Sequence, residues 1–166
     1  MSIFNYYVVI AITMTGLLNV GDKAPDFESV DDNGRKVSLH DFRGKTVVLY
    51  FYPKDDTPGC TTEACSFRDN LEEFRKRGVE VLGVSIDSER SHKNFKEKYS
   101  LNFPLIADKS REIVEKYGAT GDSKSAKRVT FIIDGDGKIA YVYSKVTPKD
   151  HSLEILKKLQ ELKLVQ

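Results

Sequence analysis

A chain of 166 residues, 40% of them apolar and 31% charged, has the size and composition of one soluble domain with a single sizeable core. A formal net charge of +1 provides no strong field of the kind that recruits nucleic acid or an acidic membrane face, so neither is expected as a partner. Two cysteines are too few for a secreted disulfide scaffold; the chain reads as cytoplasmic, its pair catalytic or metal-binding.

The first 13 residues, MSIFNYYVVIAIT, are more apolar than anything after them. They carry no Lys or Arg ahead of the apolar run, lack a clear small-residue cleavage pattern and are too short to span a bilayer as a helix. Val8, Val9, Ile10 and Ile12, with Tyr6 and Tyr7, suit an added strand, while Met14 would serve equally as the natural start. Residues 1–19 are read as an N-terminal extension and 20–166 as the domain.

Within the domain, Lys36–Leu39 follows the turn Asp31-Asp32-Asn33-Gly34 as a short strand. TVVLYFY, 46–52, is the near-continuous apolar run of a strand buried on both faces. Ala64, Phe67, Leu71 and Phe74 then recur at helical spacing, and Arg75, Lys76, Arg77 and Gly78 supply a cationic last turn and a stop. VEVLGVS, 79–85, is a second buried strand; Ser88–Tyr99 is a charged helix, and Ser110–Tyr117 a short one stopped by Gly118. Val129–Ile133 and Lys138–Tyr143 form a hairpin across Asp134-Gly135-Asp136-Gly137. Asp150–Leu162 is an amphipathic helix with Leu153, Leu156, Leu159 and Leu162 on one side. This order predicts an α/β domain of thioredoxin-like fold, a mixed central sheet flanked by helices, with extra N-terminal strands.

Both cysteines lie in PKDDTPGCTTEAC, 53–65, with four residues between them. Thr57 reads as the N-cap of the helix and Pro58 as its first residue, where a missing N–H costs nothing. Cys60 becomes the third helical residue, with an amide for the Thr57 hydroxyl to accept and a sulfur at the positive end of the helix. That place favours the thiolate, the reactive form, of which an ordinary thiol holds only a few per cent near pH 7. Cys60 also shares the stripe of Ala64, Phe67 and Leu71, so it faces inward, where a thiolate needs a positive partner.

Cys65 lies about 7.5 Å of rise and about 140° of rotation further on, which puts the Cα atoms roughly 8.6 Å apart in an intact helix. A disulfide needs them within about 7 Å, so the pair bonds only if the helix unwinds. A structural disulfide, a zinc site and two inert thiols all fit worse than a reactive pair. Zinc would need further ligands, and His40, His92 and His151 are scattered singly, as surface or capping histidines are.

The stretch Pro53-Lys54-Asp55-Asp56-Thr57-Pro58-Gly59-Cys60 resembles the P-x-x-x-T-x-x-C signature of peroxiredoxins, and TPGCTTEAC resembles their Q-type, or bacterioferritin-comigratory-protein, subfamily. GDKAPDF (21–27), LGVSID (82–87), PLIAD (104–108) and TFIIDGDGKI (130–139) extend the similarity from about Val20 to the C-terminus. The resemblance implies a thiol peroxidase for hydrogen peroxide and organic hydroperoxides, with Cys60 as the peroxidatic thiol. It implies that Thr57 contacts peroxide and thiolate, that Pro53 shields the pocket, and that Arg128 is the active-site cation. Cys65 matches the resolving cysteine of those members that carry it in the same helix. Glu63 fits the pattern too, although capping or a dipole role explains it equally well. Thioredoxin or a glutaredoxin-like dithiol is the implied reductant, no cofactor or metal is implied, and the expected state is a monomer or weak homodimer. A thioredoxin-like disulfide reductase is the nearest rival, but would carry C-x-x-C; a non-catalytic metallochaperone of that fold would need a positioned histidine.

Overall fold

The computed structural model describes residues 16–121 and 125–164; the stretch read as an added strand lies outside them. In chain order the elements are β1 (Glu28–Asp31), β2 (Lys36–Ser38), β3 (Thr46–Phe51), α1 (Pro58–Lys76), β4 (Val79–Ser85), α2 (Glu89–Tyr99), β5 (Leu105–Ala107), α3 (Glu112–Lys116), β6 (Val129–Ile133), β7 (Ile139–Tyr143) and α4 (His151–Glu161). Single 3₁₀ turns occupy Leu39–Phe42 and Pro148–Asp150. The strands of the described residues form one sheet in the order β2-β1-β5-β4-β3-β6-β7. β3 runs parallel to β4 and antiparallel to β6. The result is the thioredoxin-like α/β arrangement expected, with the β1–β2 hairpin as its N-terminal addition.

Every residue of β3 is buried, because both faces of the sheet are covered. Val47, Leu49 and Phe51 enter one core with Ile113, Val114 and Tyr117 from α3 and its end. Val48 and Tyr50 alternate into the other, filled by Phe67, Leu71 and Phe74 of α1, Phe95 of α2 and Ile155, Leu156 and Leu159 of α4. Each of these fully buried side chains contributes roughly 1.5–3 kcal/mol of transfer free energy. α1 ends as its composition predicts: Arg77 caps it and Gly78 takes φ 72°, a left-handed residue that a side chain would strain.

Three expectations change. β1 and β5 are strands the periodicity missed: ESVD has one apolar residue, and LIA is only three residues long. Leu39 opens a 3₁₀ turn capped by Ser38 instead of closing β2. In α4 the buried side is Ser152, Ile155, Leu156 and Leu159, the i, i+3, i+4, i+7 set, and Leu153 stands 53% exposed off it. Leucine spacing of three drifts around a 3.6-residue helix, so the whole leucine row could not share one face.

Candidate active site

β3 delivers the chain to the rim of the sheet, where Tyr52 is buried and Pro53 half-buried. Asp55 then ties the loop down. Its Oδ1 accepts from the Tyr52 hydroxyl at 2.6 Å, and its Oδ2 accepts from Ser91 at 2.8 Å and lies 2.7 Å from His92 Nδ1. Its N–H donates to Asp87 at 2.9 Å, and His92 Nε2 lies 3.0 Å from the Ile106 carbonyl oxygen. Asp56 turns the chain with φ 57°, a left-handed conformation that Asp tolerates. Its carboxylate accepts from the Tyr99 hydroxyl at 2.6 Å and from Lys98 at 2.8 Å, and these bonds hold it below the usual carboxylate range.

From there α1 begins as expected, with Thr57 extended at the N-cap and Pro58 first in the helix. The Thr57 hydroxyl does not accept from the Cys60 amide, however. It donates to the Lys54 carbonyl at 2.8 Å, closing the turn below it. The left-handed turn at Asp56 brings that carbonyl within reach of the Thr57 hydroxyl. The opening N–H groups of α1, Cys60's included, are those a helix leaves without intrahelical acceptors.

Cys60 is 1% exposed, on the buried stripe with Ala64 and Phe67. Its positive partner is Arg128, which precedes β6; Phe51 of β3 pairs with Val129, so the two arms of the site spring from adjacent antiparallel strands. Arg128 Nη2 donates to Cys60 Sγ at 3.3 Å, and Nη1 donates to Glu63 Oε1 at 2.9 Å. Gly59 is small for a reason: a Cβ there would stand 3.0 Å from Arg128 Nη2. A buried sulfur with a guanidinium on one side and helix N–H groups on the other is built to carry negative charge and to act as a nucleophile.

Glu63 is neither a cap nor a dipole residue. It is wholly buried, its Oε2 has no hydrogen-bond partner, and burial pushes the carboxyl up to about 7 although Arg128 pulls it down. The Tyr50 hydroxyl is also buried without a partner. Burial, with the negative charge of Glu63 and Cys60 nearby, pushes its phenol well up. Gly83 leaves it room: a Cβ there would lie 2.9 Å from that hydroxyl. Glu63 was findable from its spacing, since i+3 from Cys60 lies on the same helix face; Tyr50 gave no signal beyond a core aromatic.

Cys65 lies half-buried on the same unbroken helix, and both cysteines are free thiols. The histidines correct a second expectation: His92 and His151 are buried, and only His40 is at the surface. His151 Nε2 lies 2.8 Å from Thr130 Oγ1, and burial pushes the ring down to about 4, so it is neutral near pH 7. Among the described residues, Asp55, Asp87 and His92 hold the one set of ligand-type atoms close enough together for a metal ion. Hydrogen bonds to one another and to the loop already occupy them, and neither cysteine joins the group.

Comparison with known proteins agrees with this constellation. Residues 20–142 match the AhpC/TSA family. A putative peroxiredoxin Bcp of Coxiella burnetii is 47% identical over 149 residues, covering 86% of this chain and 99% of that one. A chloroplastic peroxiredoxin Q of rice, Oryza sativa subsp. japonica, is 44% identical over 150 residues, 89% of this chain and 69% of the relative. Among solved structures, the bacterioferritin comigratory protein of Xanthomonas campestris, studied for its alkyl peroxide reduction activity, superposes with a TM-score of 0.77 at 33% identity, over 81% of this chain and 90% of that one. A buried thiol at a helix N-terminus, met by an arginine from the neighbouring strand, is thus found in a chain that belongs to the AhpC/TSA family, as a Bcp or Q-type peroxiredoxin and so a thiol-dependent peroxidase.

Proposed function

We propose that Cys60 is the peroxidatic thiol and reduces hydrogen peroxide and organic hydroperoxides. The observation that carries this is the 3.3 Å contact from Arg128 Nη2 to a buried Cys60 Sγ at the start of α1. The thiolate attacks the terminal oxygen of ROOH; the O–O bond breaks, a proton goes to the departing RO⁻, and Cys60 becomes a sulfenic acid. Arg128 and the N–H groups opening α1 face the charge that builds on the two oxygens. Thr57 donates its O–H to the Lys54 carbonyl and so offers its oxygen lone pairs to the peroxide hydrogen. Pro53, at the loop's start, shields the pocket.

Cys65 then resolves the sulfenic acid: its sulfur bonds to Cys60, the S–O bond breaks, and water leaves. The helix between them must open for this, since its intact geometry holds the thiols beyond bonding range. A cytoplasmic dithiol protein, thioredoxin or glutaredoxin-like, restores both thiols by exchange. The sulfur carries the electrons throughout, so the cycle calls on no cofactor or metal, and a monomer or weak homodimer suffices for it.

One experiment tests the pair. Cys60→Ser should remove peroxide turnover, and Cys65→Ser should be oxidised once, then stall with thioredoxin as reductant. Wild-type protein exposed to one equivalent of peroxide should show a Cys60–Cys65 disulfide by mass. Activity persisting in Cys60→Ser would end the assignment.

A further inference from the structure

The segment that must open has two fixed ends, and one residue touches both. Tyr99 is the last residue of α2; Ser100 follows it in the left-handed conformation, φ 53°, and stops the helix. A carbonyl in the last turn has no intrahelical donor, and the Tyr99 carbonyl takes Arg68 Nη1 of α1 at 2.6 Å. Its hydroxyl donates to Asp56 Oδ1 at 2.6 Å. Asp56 is the residue before the N-cap, and Arg68 is three residues past Cys65. Both thiols therefore lie between the two attachments.

Beyond the segment the chain is held again. Asn70, two residues past Arg68, donates to Ser152 Oγ of α4 at 3.0 Å, and the same oxygen lies 2.6 Å from Ser66 Oγ, just inside the segment and one residue past Cys65. Upstream, Asp55 is bound to Tyr52, Ser91 and His92. Between Asp56 and Ser66, the stretch that holds both thiols, the side-chain ties to other elements converge on Arg128, from Cys60 and Glu63. Oxidation of the Cys60 sulfur removes the negative charge that Arg128 meets, so the interior loosens while both ends stay attached.

We propose that Tyr99 is a positioning residue of the redox cycle, stapling Asp56 and Arg68 so that α1 opens only between them and closes again in register. This rests on the assignment of Cys60 and Cys65 above. The closed segment is the form that attacks peroxide, and the open one is the form that makes the disulfide. Releasing one attachment therefore moves the two steps in opposite directions with the loosening confined to this segment, whereas a general loss of stability would spread beyond it.

Tyr99→Phe removes the hydroxyl and leaves the carbonyl. Rapid mixing with peroxide should show disulfide formation about tenfold faster and the first oxidation of Cys60 slower, from the loss of one hydrogen bond to a charged group. Amide exchange in residues 57–67 of the reduced protein should quicken, with residues 69–76 unchanged. Asp56→Asn, which keeps a residue at home in the left-handed region, should act in the same direction. The double variant should fall short of the sum of the two single effects, because both act on the Tyr99 bond, while Asp56→Asn also weakens the pair with Lys98. Rates that move together, or exchange that is unaltered, in a wild type that forms the Cys60–Cys65 disulfide would overturn the staple alone. A wild type that forms no such disulfide would overturn the site assignment and the staple with it.

Discussion

Two buried polar clusters flank the loop that leads into α1, and they are finished to different degrees. At Asp55 both carboxylate oxygens and the backbone N–H are engaged, and both ring nitrogens of His92 have partners. At Glu63 one oxygen meets Arg128 and the other meets nothing, and the Tyr50 hydroxyl is likewise unmatched. Buried polar groups are expensive to leave unpaired. The first cluster therefore holds the loop in place, whereas the second gives up stability to keep a cation beside a sulfur. The difference separates scaffold from working parts without reference to any relative.

The comparison breaks most visibly at Asp55. Asp55→Ala strips a buried histidine and a tyrosine of their partner and should cost about 3–5 kcal/mol, read from the urea midpoint; a loss under about 1 kcal/mol would show that the cluster is not the anchor. Glu63→Gln should act on activity and on pH dependence together. Turnover should fall about tenfold as Arg128 loses its orienting charge, a change worth about 1.4 kcal/mol. The Glu63 carboxyl stands at about 7 when folded against an ordinary 4.5, so the wild type binds its proton more tightly folded than unfolded. Its stability from that group is present below about 4.5 and lost as pH rises through about 7. Gln cannot ionise, so the variant should gain on the wild type across that window by on the order of 3 kcal/mol; parallel stability profiles from pH 5 to 8 would contradict this. Tyr50→Phe is the smallest change. Removing an unpartnered hydroxyl should raise stability by about 1 kcal/mol, and a clear loss would mean that the hydroxyl has a partner after all.

What could be read from the residues followed the strength of the local signal. The apolar run of β3, the proline entry and glycine exit of α1, and the DGDG hairpin each combine pattern with turn chemistry, and each forms as expected. β5 is a strand because β4 and β1 lie on either side of it, a fact absent from its three residues. The Thr57 hydroxyl followed the carbonyl that the turn presented rather than the cap rule. His92 and His151 went inside because distant partners, Asp55 at 37 positions and Thr130 at 21, were there to meet them. At the site, the inward place of Cys60 near the start of α1 and its need for a cation were legible in the residues alone. That Arg128 also grips Glu63 depends on β6 lying beside β3, which only the fold reveals.

That adjacency has a further meaning for the pocket. Phe51 and Val129 are the end pair of the ladder between β3 and β6, two strands flanked on both sides within the sheet. The roots of the thiol loop and of Arg128 are thus set about 5 Å apart by backbone hydrogen bonds, not by loops. In the proposed cycle Arg128 belongs to the foundation, while Cys60 and Glu63 ride on the part that would open. Each time the helix rewound, the sulfur would return to a cation that had not moved, so the sheet would reset the pocket, which would need no memory of its own.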